Sequence, residues 1–213
     1  WGETWQSSAA AAGFIRETLG PMLLGADASA PQRLWRRMME RVGYDRRGAS
    51  VMAVSALDMA LWDAFARSAG VPLSQAIGGA LRDRVRAYAS GPFLKPGEDR
   101  QVGPDVPLMA DLNEGFTVKG ALAIAQGLAE SGFLWLEEPV LPDDLPGYRR
   151  LADNLPMALA GGEALCGLGS FRDFITAGVL DVVQPDLAIC GGITEGLRIA
   201  ALADAFDVPL VPH

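Results

Sequence analysis

Apolar residues recur at helical spacing through roughly the first 80 residues of the chain. An alanine-rich stretch leads to a Gly-Pro stop signal at residues 20–21, and residues 31–42 carry large apolar side chains every three or four positions. A third stretch, residues 55–69, opens with a Ser-x-x-Asp capping-box pattern made by Ser55 and Asp58. The pattern predicts a mostly helical layer over this half of the chain.

Short apolar runs replace this pattern from residue 84 onward. Most are followed by a polar loop and then by helical spacing, and strands that alternate with helices predict a parallel sheet with crossover helices. The runs are continuously apolar, which is typical of strands buried on both faces. They occupy residues 84–90, 106–111, 133–138, 157–163, 179–186 and 208–213.

Polar residues end these predicted strands at a regular interval. Asp111, Glu137, Glu163, Asp186 and His213 follow one another at steps of 23 to 27 residues, each about the length of one strand-and-helix unit. A nucleotide-binding sheet would carry a glycine-rich turn after its first strand, and the sequence has none there. The predicted fold class is therefore α/β, a (β/α)-barrel, with chemistry at the carboxyl ends of its strands.

Six predicted strands fall short of the eight that close such a barrel. The connector at residues 91–105 contains three prolines and no helical period, so it cannot serve as a crossover helix. The last predicted strand ends with the chain. We therefore expect a barrel unit to be missing from the sequence near residues 98–102, and a further unit beyond the C-terminus.

The charge balance of the chain is acidic, with 26 Asp and Glu against 18 Lys and Arg and a formal net charge of −8. This argues against nucleic acid and membrane surfaces as partners, because both recruit basic patches. Two cysteines do not make a disulfide framework, and no uncharged apolar run is long enough to cross a bilayer. The chain begins at Trp1 without a signal-peptide pattern or an initiating methionine. We expect a piece of a cytoplasmic protein.

Three carboxylates, Asp111, Glu137 and Glu163, end consecutive predicted strands and would converge at the mouth of the barrel. One such acid alone is more often a loop or capping residue, but three buried carboxylates without a cation would be costly. Oxygen ligands favour Mg²⁺ ahead of Mn²⁺ or Ca²⁺. Side chains alternate along a strand, so only one of Glu137 and Glu138 can face the mouth, and alternation alone does not decide which.

Asp186 and His213 end the next two predicted strands. A carboxylate beside a histidine fixes the tautomer of the ring and makes it a general acid or base. A chain's single histidine is more often structural than catalytic, but the position of His213 at a strand end beside Asp186 favours a catalytic dyad. For Gly191 and Gly192, a tight strand-to-helix turn is preferred to phosphate binding.

Nine motifs, in order and along nearly the whole chain, resemble the enolase superfamily and, within it, the mandelate racemase subgroup. Their order and spacing make the resemblance specific. They are SALDMALWD at 55–63, PL at 72–73, IGG at 77–79, DLN at 111–113, WLEEP at 135–139, GE at 162–163, QPD at 184–186, GGITE at 191–195 and PH at 212–213.

The resemblance implies an N-terminal α+β capping domain over a modified (β/α)-barrel. We place the capping domain at residues 1–83 and the barrel at residues 84–213. By position in the motifs, Asp111, Glu137 and Glu163 correspond to the Mg²⁺ ligands of the family, which selects the first glutamate of the WLEEP motif.

The resemblance also implies a chemistry. Asp186 and His213 correspond to the acid/base dyad of the subgroup, and Asn113 to a position that faces the substrate. The family removes the proton α to a carboxylate and stabilises the enediolate with Mg²⁺. With a leaving group on the β carbon, water is lost. The resemblance therefore implies a Mg²⁺-dependent lyase that dehydrates a sugar acid to a 2-keto-3-deoxy acid.

One part of the family pattern is absent. The family carries a Lys-x-Lys pair on the strand before Asp111, whereas the two lysines here, Lys95 and Lys119, lie in the proline-rich connector and in a helical stretch. We expect the pair to lie in the missing barrel unit. Two alternatives stay open, a racemase or epimerase of a 2-hydroxy acid and a non-catalytic relative. Family habit also implies a homo-oligomer.

Overall fold

Helices make up the N-terminal part of the computed structural model, which describes residues 1–91 and 106–213. The first helix continues through a π-helical turn (Ile15–Leu19) into the second without a break. Pro21 lies in the first turn of that second helix, where its missing N–H costs nothing, so the predicted stop at residues 20–21 is wrong. The helices are α1 (Ser8–Phe14), α2 (Gly20–Leu23), α3 (Pro31–Val42), α4 (Ala49–Ala69) and α5 (Leu73–Ala76).

The helix α4 begins six residues before its predicted start, directly after Gly48, whose φ is 65°. Ser55 and Asp58 are therefore in the middle of the helix, where both are fully buried. The predicted capping box is wrong because neither side chain caps its own helix. Both instead reach the start of a helix in the barrel half, as described below.

A parallel four-stranded sheet forms the second part, with the strands side by side in chain order. A helix follows each strand, as in repeated strand–helix units, and this confirms the predicted α/β class. The elements in chain order are β1 (Ala110–Asp111), α6 (Val118–Ala129), β2 (Trp135–Glu137), α7 (Leu145–Ala152), β3 (Ala158–Gly161), α8 (Gly167–Thr176), β4 (Val182–Val183) and α9 (Gly192–Ala205).

Every strand is shorter than its apolar run. The run at 208–213 forms only a bridge between Val183 and Leu210, and the run at 84–90 forms no strand with any described residue. A strand needs at least one hydrogen-bonded neighbour, and no described strand pairs with residues 84–90. The barrel unit predicted to be missing near residues 98–102 lies outside the described residues.

The described residues form two apolar cores, one in the barrel half and one among the N-terminal helices. The barrel core surrounds β2, β3 and β4 and includes Leu136, Leu159 and Phe171. The core of the N-terminal helices also takes in Cys166 and Ile189 from the barrel half. The two halves are thus joined by buried apolar contacts, and both cysteines are free and buried, as the sequence predicted.

By length and composition, α4 is apolar enough to cross a membrane, with a mean hydropathy of 1.3 over its best window. It nevertheless carries Asp58, which is hydrogen-bonded to Thr194 of α9. A long apolar helix that buries such a contact between two parts of a fold is typical of a core helix.

Candidate active site

The first two predicted metal ligands are neighbours across the sheet. Parallel pairing sets Asp111 of β1 opposite Glu137 of β2, so their side chains lie on the same face. Glu137 is 6% exposed, and its Oε2 accepts a hydrogen bond of 2.9 Å from Trp135 Nε1. Asp111 is exposed, and its Oδ1 accepts 2.8 Å from the backbone N–H of Asn113.

Asn113, the predicted substrate-facing residue, occupies the turn that follows β1. Its backbone is in the left-handed region, with a φ of 43°, and its side chain is exposed. The hydrogen bond from its N–H to the Asp111 side chain makes this an Asx-type turn. Asparagine tolerates the left-handed backbone at this position well. The structure therefore presents Asn113 at the carboxyl edge of the sheet, beside Asp111.

Glu163 follows β3 and meets the predicted dyad. Its Oε2 lies 3.1 Å from His213 Nε2, and its side chain is 17% exposed. Burial raises the pKa of Glu163 to about 7. The His213 side chain opposes this rise, and the carboxylates of Glu137, Asp111 and Asp186 add to it. Glu163 therefore shares its surroundings with three other acids, which makes its charged form costly without a cation.

Glu138 holds the backbone on both sides of Glu163, a role that the sequence did not predict. Its Oε1 accepts hydrogen bonds from the N–H of Gly162 at 3.0 Å and of Ala164 at 3.5 Å. Glu138 is 2% exposed, and burial raises its pKa to about 7 against those two hydrogen bonds. Glu138 therefore points toward the β3–α8 turn and is engaged there, whereas Glu137 lies on the face shared with Asp111.

The predicted dyad residues lie next to each other. His213 Nδ1 is 3.4 Å from Asp186 Oδ2, and the ring is thus placed between Asp186 and Glu163. Asp186 Oδ1 accepts 2.6 Å from the backbone N–H of Ala188. Trp5, from the segment before α1, donates from Nε1 to Asp186 Oδ2 at 2.8 Å. Asp186 is therefore both buried and hydrogen-bonded from two parts of the chain.

The donor chemistry of this edge suits a hard cation. The predicted ligands offer carboxylate oxygens only, and the buried side-chain amide of Gln184, at the neighbouring strand end, has no hydrogen-bond partner among the described residues. Within those residues, no three Asp, Glu, His or Cys side chains are grouped closely enough to hold one ion. The residues fit Mg²⁺ by donor chemistry, and the ligand assignment stays a prediction.

The helix α4 holds the turn that carries Asp186. Ser55 Oγ accepts 3.0 Å from the N–H of Gly191, and Asp58 accepts 2.7 Å from both the N–H and the hydroxyl of Thr194. Thr194 is the third residue of α9, whose own capping position is a glycine. Asp58 therefore caps α9 from another part of the fold, as an N-cap side chain would. Burial raises the pKa of Asp58 to about 6.

Gly192 makes this approach possible. Its φ is 89°, and a Cβ there would lie 2.6 Å from Asp58 Oδ2. The two glycines before Ile193 thus serve backbone geometry and close packing, in agreement with the tight-turn interpretation. Sequence patterns could have pointed to Asp58, because it stands in the SALDMALWD motif, but no local signal pointed to Trp5.

Two family models match the chain. Residues 1–78 match the mandelate racemase / muconate lactonizing enzyme N-terminal domain, and residues 99–213 match the enolase C-terminal domain-like family.

The chain is also similar to characterised proteins. It is 32% identical to a D-galactarolactone cycloisomerase of Agrobacterium fabrum and 31% identical to a D-galactonate dehydratase of Verminephrobacter eiseniae, covering 100% of this chain and 67% of each relative. A crystal structure of a racemase from Streptomyces coelicolor A3(2) with bound magnesium superposes with a TM-score of 0.90 at 33% identity, covering 98% of this chain and 69% of that one. These likenesses confirm the predicted architecture.

The chain spans 60–67% of the length of the curated relatives it matches. The match with the cycloisomerase extends over 253 aligned positions, whereas this chain has 213 residues, so at least 40 positions of that relative have no counterpart here. Such an excess is what a missing internal unit would produce.

Proposed function

We propose that this chain, which belongs to the mandelate racemase and muconate lactonizing enzyme family of the enolase superfamily, dehydrates a sugar acid to a 2-keto-3-deoxy acid. The family, the enzyme class and the Mg²⁺ requirement agree with the predictions from sequence. The observation that carries the reaction is the placement of the His213 ring between Asp186 and Glu163 at the carboxyl edge of the sheet.

The substrate carboxylate would meet Mg²⁺ at this edge. Asp111, Glu137 and Glu163 would hold the ion, which supplies positive charge where negative charge develops as the α proton leaves. Trp135 orients Glu137 through its indole N–H. Asn113, exposed at the same edge, is placed to contact a hydroxyl or carboxylate of the substrate.

His213 would move the proton. An Nδ1–H directed at Asp186 leaves the lone pair on Nε2, the nitrogen that lies 3.1 Å from Glu163 Oε2. A ring held in this tautomer acts as a base toward the α proton, or as an acid toward the departing hydroxide after it has gained a proton. The carboxylate of Asp186 stabilises the charged ring in either case.

Among the described residues, racemisation is less well supported than elimination. A racemase needs groups on both faces of the substrate carbon, one to remove the proton and one to return it. His213 can supply one face. The sequence has only two lysines: Lys119 is exposed on α6, outside the strand ends, and Lys95 lies outside the described residues. Elimination of water, in contrast, can be assisted by one ring on one face.

The relatives support sugar acids as the substrate class. A D-galactonate dehydratase and an L-rhamnonate dehydratase are among them, and so is a D-galactarolactone cycloisomerase. We also place the protein in the cytoplasm as a homo-oligomer without nucleic-acid or membrane partners. The net charge of −8 and the two free, buried cysteines support that part of the proposal.

The test is a screen of aldonic and aldaric acids with Mg²⁺, read by mass spectrometry and by a 2-keto-acid assay. Loss of one water, dependent on Mg²⁺ and absent from His213→Asn, is the expected result. An isomer of unchanged mass would identify a cycloisomerase or epimerase instead. No conversion of any acid would contradict the proposal.

A further inference from the structure

The indole of Trp5 lies against the buried carboxylate of Asp186. Its Nε1 is 2.8 Å from Asp186 Oδ2, although 181 residues separate the two positions in the chain. His213 Nδ1 lies 3.4 Å from the same oxygen. The indole nitrogen is thus the closer of the two nitrogens, and it comes from the N-terminal half of the molecule.

The other oxygen of Asp186 is also engaged. Oδ1 accepts 2.6 Å from the N–H of Ala188 in its own turn. One N–H on each oxygen prevents the carboxylate from rotating without losing a hydrogen bond. Asp186 is 7% exposed, so water has little access to its oxygens while both donors are in place, although Trp5 itself is 56% exposed. The orientation of Oδ2 toward His213 therefore depends on both donors.

The chain segment before Trp5 packs against α4. Gly2 approaches the helix so closely that a Cβ there would overlap the carbonyl oxygen of Ala56 and lie 2.8 Å from the N–H nitrogen of Ala60. This contact fixes the chain three residues before Trp5. The same helix holds the far side of the Asp186 turn through Ser55. The segment before Trp5 and the turn after Asp186 thus both contact α4.

We propose that Trp5 is a positioning residue for the dyad, acting through Asp186 to hold His213 with its proton on Nδ1. The proposal rests on the proposed function only in that His213 and Asp186 form the acid/base dyad. The indole donates and cannot accept, so it leaves the second lone pair of Oδ2 for the ring N–H. Without it, the carboxylate is free to turn away from His213, and the ring becomes a mixture of tautomers.

The single histidine of the chain allows a direct test. Protein labelled with ¹⁵N-histidine, in buffer with Mg²⁺ and at a pH at which the ring is neutral, reports the tautomer through its two nitrogen shifts. We compare wild type with Trp5→Phe, which keeps an aromatic ring but loses the N–H. Trp1→Phe is the control, because Trp1 is 82% exposed and its indole hydrogen-bonds to no described residue.

The proposal predicts the Nδ1–H tautomer in wild type and in Trp1→Phe, and a mixture in Trp5→Phe. A Trp5→Phe spectrum like that of wild type would overturn it. The second measurement follows the indole signals of ¹⁵N-tryptophan protein. The signal lost in Trp5→Phe must move in Asp186→Asn, where an amide N–H replaces one acceptor, and a signal that stays in place would also overturn the proposal.

Turnover provides the third measurement. On any sugar acid that the wild type dehydrates, Trp5→Phe should lower kcat about tenfold, with KM within about twofold, since orienting partners typically contribute that much. Turnover equal to that of Trp1→Phe would contradict the positioning role. If the wild type converts no sugar acid, the proposed function fails, and the tautomer measurement still decides the role of Trp5.

Discussion

The two ends of the sheet differ in how firmly the rest of the molecule holds them. After β4, Asp186 is 7% exposed, and the turn that follows is hydrogen-bonded to α4. At the other end, Asp111 is exposed, and no described strand lies on the outer side of β1. The contrast separates a supported end, which carries the predicted acid/base dyad, from an open end, which carries the first predicted metal ligand.

This difference indicates which parts of the site are preorganised. The N-terminal half holds Asp186 through Trp5 and holds the start of α9 through Asp58, so the predicted proton-transfer groups are positioned before any ligand binds. Asp111 is paired with Glu137 in the ladder, but its side chain accepts a hydrogen bond only from the exposed turn that contains Asn113, among the described residues.

The largest expected effect is at the supported end. Replacing His213 with asparagine removes the general acid/base and should lower kcat by about 100- to 10,000-fold, while Mg²⁺ affinity changes little. Steady-state kinetics check the fall in kcat, and a Mg²⁺ titration checks the affinity. Full turnover by the variant would refute the dyad.

The stability of the protein should fall with rising pH because of Asp58. Its folded pKa of about 6 lies above the ordinary value of 3.8, so the folded state binds the proton more tightly. The stabilisation is complete below pH 4 and is lost as pH rises through 6, by about 3 kcal/mol. Urea unfolding from pH 4 to 7 should show this slope in wild type and a flatter profile in Asp58→Asn. Equal slopes would contradict the burial of a titrating Asp58.

Removal of the cap on α9 should also destabilise the fold. Asp58→Ala leaves the N–H and hydroxyl of Thr194 without their acceptor, at a cost of about 2 kcal/mol at pH 7. The matched control on the same helix is Asp63→Ala, which removes a surface ion pair with Arg67 and should cost less than about 1 kcal/mol. Equal losses of unfolding free energy in the two variants would show that Asp58 does not cap α9.

At the open end the effect on stability should be small. Asp111→Asn removes an exposed carboxylate and should change the free energy of unfolding by less than about 0.5 kcal/mol. The same variant should weaken Mg²⁺ binding if Asp111 is a ligand. A large loss of stability would mean that β1 is held more firmly than its contacts indicate.

Much of the architecture could be predicted from the sequence, because helix spacing and continuous apolar runs depend on local patterns. The bounds of α3 match the prediction, and the four strands fall inside their predicted runs. The strand at 84–90 could not be placed, since a strand exists only with a partner. Ser55 and Asp58 were misassigned because a capping pattern in sequence does not say which helix it caps.

The candidate site was predictable to a different degree at each residue. Regular spacing of strand ends was enough to bring Asp186 and His213 together as candidates, and they lie 3.4 Å apart. Strand alternation left Glu137 and Glu138 undecided, and the resemblance selected Glu137. Trp5 could not be found, because its contact with Asp186 depends on how the two halves pack and leaves no trace in either local sequence.

The central claim is that the acids at the strand ends form a Mg²⁺ site, and a calorimetric Mg²⁺ titration tests it most directly. Glu163→Gln keeps the shape of the side chain and removes its charge, whereas Glu130→Gln does the same at an exposed position at the end of α6. If these acids form the site, wild type and Glu130→Gln bind Mg²⁺ alike and Glu163→Gln binds at least about tenfold more weakly. Equal affinity in all three proteins would contradict it.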